Sequence, residues 1–275
     1  MTKPATPRWS ELLIEAVERP GLILEAYWRF HGYSLGNQVA AFCQCLGRGL
    51  TPGPIATVHR WNELGRRVKR GERALSLCMP VTVKERSNGE AESEAATAVA
   101  PTTRTIFLWK PRWFVLAQTE GESMPTETEI PAWDKARALE TLGVREVPFT
   151  HTDGNVQGYA RERTIAINPV AQLPAKTLFH ELGHAVLHND EEAVSDRLDL
   201  PKSLREAEAD GVALLCCEAL EIPAAAYCRG YIQAWYGQGT PIPDISAQRI
   251  FRAADKILRA GRPKLSVPIA AGVAA

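Results

Sequence analysis

The stretch KTLFHELGHAVLH, residues 176–188, constrains this chain more than any other. Read as a helix, it places His180 and His184 one turn apart on a single face, so both imidazoles can address one point. Glu181 follows about 100° further round the cylinder, beside that point rather than on it. Two nitrogen ligands with an adjacent carboxylate form the H-E-x-x-H pattern of a metal site with its own general base. Gly183 costs about 1 kcal/mol in a helix interior relative to alanine, which calls for close approach by another backbone or by the metal shell. His188 continues the four-residue series; it either extends the metal face or caps the helix end and lines the cleft.

A catalytic tetrahedral site needs a third protein ligand. The acidic helix SLREAEADGVALLCCEALEI begins after Pro201, and Val212, Leu215 and Ala219 give it a buried face. Glu206 lies 22 residues beyond His184 and shares a face with Asp210. Glu208 stands about 200° from Glu206. Glu206 is therefore the expected ligand, with Asp210 accepting a hydrogen bond from a liganding imidazole. Glu208 or Asp210 on the metal is the rival assignment. Zinc is the ion that suits this set, and Glu181 would take a proton from the attacking water and hand it to a leaving amine. Tyr159, Tyr231 and Tyr236 are the candidate oxyanion donors. ERTIAINP reads as an edge strand or hairpin, able to pair with an extended peptide or serving only as structure.

Helical patterns run through residues 6–21, 22–33, 34–49 and 57–66, with Ser10 and Thr57 as expected caps. ALSLCMPVTV reads as a strand, and RTIFLWKPRWFVLAQT as one or two strands returning to it. Between them, residues 86–103 are small, polar and acidic and read as a mobile loop. EGESMPTETEIPAW reads as a linker. Helical patterns follow at 134–143, 174–188, 201–220, 223–236 and 246–260, and the tail after Gly261 reads as frayed. The expected class is α+β: residues 1–120 form an α+β unit with a small antiparallel sheet, 121–132 a linker, 133–262 a mostly helical unit with a short edge hairpin, and 263–275 a flexible tail.

Net charge is zero, but residues 1–125 carry 16 Lys and Arg against 12 Asp and Glu, and residues 126–275 carry 16 against 20. The basic excess concentrates between Arg48 and Lys84, which hints at a front unit facing polyanions or at a solvated surface strip. Single-strand binding calls for a basic groove with rings on which bases stack. Arg66, Arg67, Lys69, Arg70 and Arg73 supply charge at a helix–strand turn. Trp61, Trp109 and Trp113, interleaved with Lys110 and Arg112, supply rings, with Phe107 on the same strand face as Trp109. Core packing is the competing reading for each tryptophan. None of the six cysteines forms a C-x-x-C pair, so no thiolate zinc site is implied, and their usage points to a reducing compartment. No apolar run is long enough to span a bilayer. A soluble, cytoplasmic monomer that avoids membranes is expected.

TLFHELGHAVLH with REAEADGVALLCCEALEI resembles the zincin-like, gluzincin-type metallopeptidase domain of ArdC-type antirestriction proteins and related polyvalent mobile-element proteins. That family opens its second helix with a Glu and an acidic residue four positions on, as Glu206 and Asp210 do here. TVHRWNELGRRVKRGERALSL and RWFVLAQTEGE resemble the family's N-terminal single-stranded-DNA-binding domain, although YSLGNQVAAFCQCLGRG departs from the family's usual longer Asn- and Gly-bearing segment. The resemblance implies carriage on plasmids, phages or integrative elements and protection of incoming DNA from restriction. Three functions stay open: a single-stranded-DNA binder with a zinc peptidase, a zinc peptidase whose front unit recognises a regulator protein, and a non-catalytic DNA shield with a structural metal.

Overall fold

The computed structural model describes residues 7–84, 103–123, 130–153, 155–188, 200–237 and 242–263. Residues 86–102 of the expected loop, 264–275 of the expected tail and 124–129 of the expected linker lie outside them, whereas Thr103 belongs to a strand. The fold is α+β, as the sequence pattern predicts. Its elements are α1 (Trp9–Glu18), α2 (Leu22–Phe30), α3 (Leu35–Gly47), β1 (Ile55–Thr57), α4 (Val58–Glu63), β2 (Arg66–Val68), β3 (Leu75–Lys84), β4 (Thr103–Val115), β5 (Thr119–Gly121), α5 (Lys135–Leu142), β6 (Arg145–Glu146), β7 (Gly158–Arg161), β8 (Thr164–Ile167), α6 (Pro174–Leu187), α7 (Lys202–Ala219), α8 (Ala225–Gly237) and α9 (Asp244–Ala260).

α7 is buried all round from Ala207 to Ala219, as expected of a helix at the centre of a bundle. α6, α8 and α9 pack on it. α9 presents Ala247, Ile250, Ala254, Ile257 and Leu258 as a buried stripe at helical spacing. It meets α1, α3 and α5 as well as α6 and α7. One continuous hydrophobic core therefore runs from Leu12, Ile23 and Val39 at the front to Leu214 and Ile257 at the back.

The seam is also polar. Helix ends leave backbone groups without intrahelical partners, and side chains of the back helices satisfy those of the front ones. Asp244 accepts from the Ser10 amide at 2.9 Å and the Ser10 hydroxyl at 3.1 Å. Asp255 accepts from the Leu35 amide at 2.8 Å. Arg229 donates to the Ala16 and Val17 carbonyls at 2.7 and 2.6 Å, while its ion-pair partner Glu218 accepts from the Ile23 amide. Ser10 is thus not the expected cap: α1 starts after Arg8, and a carboxylate 234 residues away fills the role. Thr57 does cap α4, accepting from the Arg60 amide.

β3 and β4 form a long antiparallel hairpin, with β1 on the other side of β4 in the order β1-β4-β3. TRTIFLWKPRWFV is one strand of 13 residues, and β2 pairs with β5 in a separate ribbon. The third sheet has the order β6-β8-β7, β6 running parallel to β8. β8, from TIAI, is therefore central rather than an edge strand. The edge is β7, because β6 occupies β8's other side, and two residues were too short a signal to foresee it.

Candidate metal centre

α6 opens at Pro174, where a missing N–H costs nothing. It lies against α7 closely enough that a Cβ on Gly183 would come within 3.2 Å of Ala209 Cα. Of the two reasons expected for this glycine, backbone approach is the one found. The packing brings the N-terminal turns of α7 alongside His180 and His184.

Three donor atoms converge there. His180 Nε2 and His184 Nε2 are 3.1 Å apart, and Glu206 Oε2 lies 3.4 Å from the first and 3.5 Å from the second. Donors at about 2.0–2.1 Å from a tetrahedral ion are spaced by about 3.3 Å, so the triangle has the dimensions of one face of such a coordination shell. His180, His184 and Glu206 are also the group among the described residues whose ligand atoms could share an ion. The other ring nitrogens are engaged: His180 Nδ1 with Asp210 Oδ1 at 3.0 Å, His184 Nδ1 with His188 Nδ1 at 3.1 Å. That leaves the two Nε2 atoms, which a cation can take in place of a proton, and the residues fit one.

The charges agree. Hydrogen bonds from His180 and His184 hold the Glu206 carboxyl far below the usual carboxylate range. Burial opposes charge on His180, but bonds to Asp210 and Glu206 outweigh it and lift its pKa to about 9. The cluster favours positive charge at the meeting point of these side chains. Glu181 stands beside it, buried, its pKa raised first by desolvation. Gly158 admits Glu181: a Cβ there would lie 3.0 Å from Glu181 Oε1 and 2.9 Å from the Ala166 carbonyl.

The rival ligands are otherwise occupied. Asp210 accepts from His180 and, at 2.8 Å, from the Lys176 ammonium. Glu208 pairs with His188 at 2.8 Å. Neither Lys176 nor the His188–Glu208 pair was anticipated as support for the site, although the four-residue step from Lys176 to His180 was available as a signal. His188 sits outside the donor triangle. A cleft of about 650 Å³ opens over the triangle, floored by the His residues, Glu181 and Glu206 and walled by Gly158–Glu162, Lys202 and Arg205. Tyr159 is among its walls; Tyr231 is an exposed residue of α8, and the Tyr236 side chain lies outside the described ones.

The expected nucleic-acid surface is only partly present. Trp61 is fully buried and donates from Nε1 to the Phe114 carbonyl at 2.9 Å. Trp113 is buried, and Trp109 stacks against Trp9 with ring centroids 4.9 Å apart. Arg66 is buried and spends its guanidinium on Thr119 and the Glu122 carbonyl. Trp61 and Trp113 are therefore core residues, Trp109 is half-buried against Trp9, and Arg66 is not available to phosphate. Arg67, Lys69, Arg70 and Arg112 are exposed, Lys110 is half-buried, and Lys69 bonds the Ala117 carbonyl. Phe107 is the exposed ring of β4, with the Arg252 guanidinium 4.2 Å from its centroid. Phe107 and Trp109 share a strand face and differ because the hairpin leaves the core toward its tip; Trp113 is set apart by a register shift, Leu75 pairing with Trp113 but Ser76 with Pro111, which alternation cannot reveal.

Fold and site together define an α+β protein with a candidate divalent-metal centre of H-E-x-x-H form on two packed helices. No family model and no curated protein sequence matches the chain. Among solved structures it is similar in fold to the antirestriction ArdC protein from R388 plasmid. The Mn(II)-bound crystal structure of that protein superposes with a TM-score of 0.50 and 16% identity over 93% of this chain and 98% of the other. The metal-free crystal structure gives a TM-score of 0.48 and 18% identity over 92% and 94%. No helix among the described residues is long and apolar enough to cross a membrane.

Proposed function

We propose that the chain is a zinc-dependent peptidase of the gluzincin type, joined to a surface for single-stranded DNA, in an antirestriction-type protein of a mobile element. The observation that carries the peptidase reading is the convergence of His180 Nε2, His184 Nε2 and Glu206 Oε2 with Glu181 alongside. His180, His184 and Glu206 hold the ion. When bound, zinc supplies Lewis acidity, lowering the pKa of a ligated water and polarising a carbonyl. Glu181 accepts the proton of the attacking water and returns it to the leaving amine; burial raises its pKa above the usual carboxylate value, which makes it a stronger base. A purely structural site would have no use for a buried carboxylate in that place. β7, the outer strand of its sheet among the described residues, forms one wall of the cleft and can pair with an extended peptide.

For DNA, the supporting surface is Arg67, Lys69, Arg70, Lys110 and Arg112 with Phe107, since these groups lie outside the core. The fold shared with a plasmid antirestriction protein supports the biological setting.

The test combines metal analysis, peptide turnover and binding of a fluorescent single-stranded oligonucleotide for wild type, His180→Ala and Arg67→Glu/Arg70→Glu. The reading requires stoichiometric zinc that His180→Ala removes, zinc-dependent turnover, and salt-sensitive oligonucleotide binding weakened by the charge reversals. Zinc without turnover would favour a DNA shield with a structural metal, and turnover without oligonucleotide binding a peptidase directed at a protein.

A further inference from the structure

We propose that His188 and Glu208 form a positioning chain behind the metal ligand His184; the inference rests on the metal reading above. His184 Nδ1 lies 3.1 Å from His188 Nδ1, and His188 Nε2 lies 2.8 Å from Glu208 Oε2. The His188 side chain is 10% exposed and the Glu208 side chain 1%, so water does not compete for these bonds. The other Glu208 oxygen, Oε1, is buried without a partner among the described residues, which leaves His188 as the group that holds this carboxylate.

Hydrogen-bond chemistry gives the chain one direction. A ring that ligates through Nε2 carries its proton on Nδ1, so His184 donates. An ionised carboxylate only accepts, so His188 carries its proton on Nε2 and is left with an acceptor at Nδ1. That acceptor faces the His184 donor. Ligand, intermediate imidazole and buried carboxylate are satisfied together by this single set of tautomers.

The two ligands are therefore supported differently. His180 is oriented directly by Asp210, whose Oδ1 is shared with Lys176. His184 is oriented through a neutral imidazole, with the charge one ring further away. The motif EAEAD assigns its three carboxylates to three tasks: Glu206 to the ion, Glu208 to His184 by way of His188, and Asp210 to His180. His188 and Glu208 are positioning residues, because neither reaches the donor triangle.

The experiment uses the full chain, with zinc affinity measured by competition with a chromophoric chelator for wild type, His188→Phe, Glu208→Leu, Glu208→Gln and His188→Phe/Glu208→Leu. His188→Phe and Glu208→Leu each weaken zinc binding by about 10–100-fold, the range for loss of such outer partners. The double variant is no weaker than the worse single one, because either change breaks the same chain. Glu208→Gln keeps an acceptor oxygen and recovers most of the affinity. Should a variant fail to fold, imidazole nitrogen NMR of the wild type decides: His188 must be protonated at Nε2 with a bare Nδ1. The opposite tautomer, or wild-type zinc affinity in folded His188→Phe, overturns this proposal alone. A wild-type chain with no zinc affinity removes the peptidase reading and this proposal with it.

Discussion

Gly183 faces Ala209 across the α6–α7 contact with little room for a side chain: a Cβ would come within 3.2 Å of Ala209 Cα and 3.3 Å of Val212 Cβ. Both neighbours belong to the buried stretch of α7, which has little freedom to move. Gly183→Ala gains up to about 1 kcal/mol of helix propensity and loses about 1–3 kcal/mol to overpacking. A net loss in urea-denaturation stability is expected, with weaker zinc binding because the two helices carry the ligands. Unchanged stability and affinity would show that the helices need not meet this closely.

Glu181→Gln separates chemistry from ligation. The side chain lies beside the donor triangle and supplies none of its three corners. Zinc content is expected to match wild type, while peptide turnover falls by at least about 100-fold, the lower end for loss of a general base. Loss of zinc from this variant would instead make Glu181 part of the coordination shell.

Arg229 and Glu218 test the front-to-back seam. The pair is buried, and between them its members bond the Ala16 and Val17 carbonyls and the Ile23 amide. Arg229→Met strands a buried carboxylate and should cost about 3–5 kcal/mol. Adding Glu218→Leu removes that stranded charge and should restore part of the loss, read from denaturation midpoints.

The oligonucleotide surface predicts a division between charge and core. Arg67→Glu/Arg70→Glu should weaken single-strand binding and reduce the slope of log affinity against log salt by about 2, one for each phosphate left without its arginine. Phe107→Ala should cost about 1–3 kcal/mol of binding if a base stacks on its ring. Trp61→Phe should leave binding intact and lower stability, since that indole is fully buried and bonded to the Phe114 carbonyl.

Tyr27 gives a pH signature of the packed front helices. Burial raises its pKa from 10.0 to about 12, with the Arg262 guanidinium opposing the shift. The folded chain thus keeps this proton where the unfolded chain has released it. The stability involved is fully present below pH 10 and is lost as pH climbs toward 12, in all on the order of 2–3 kcal/mol. Tyr27→Phe should flatten that part of the stability–pH curve.

Local spacing was enough to group His180, His184 and Glu206 as candidate donors and to set Asp210 against an imidazole, because a helix turns by a known angle per residue. The same rule located α6, α7 and α9, and two-residue alternation the long strands. Spacing was silent wherever the answer depended on a partner distant in sequence. Ser10 looked like a cap until Asp244 was seen to fill that role. β8 looked like an edge until β6 was found on its other side. Trp61, Trp113 and Arg66 looked like DNA contacts until the core closed over them. The sequence by itself determined which side chains share a face; the tertiary structure decided what that face meets. The reason is physical: periodicity is a property of one element, whereas burial and hydrogen-bond partners are created only when elements pack.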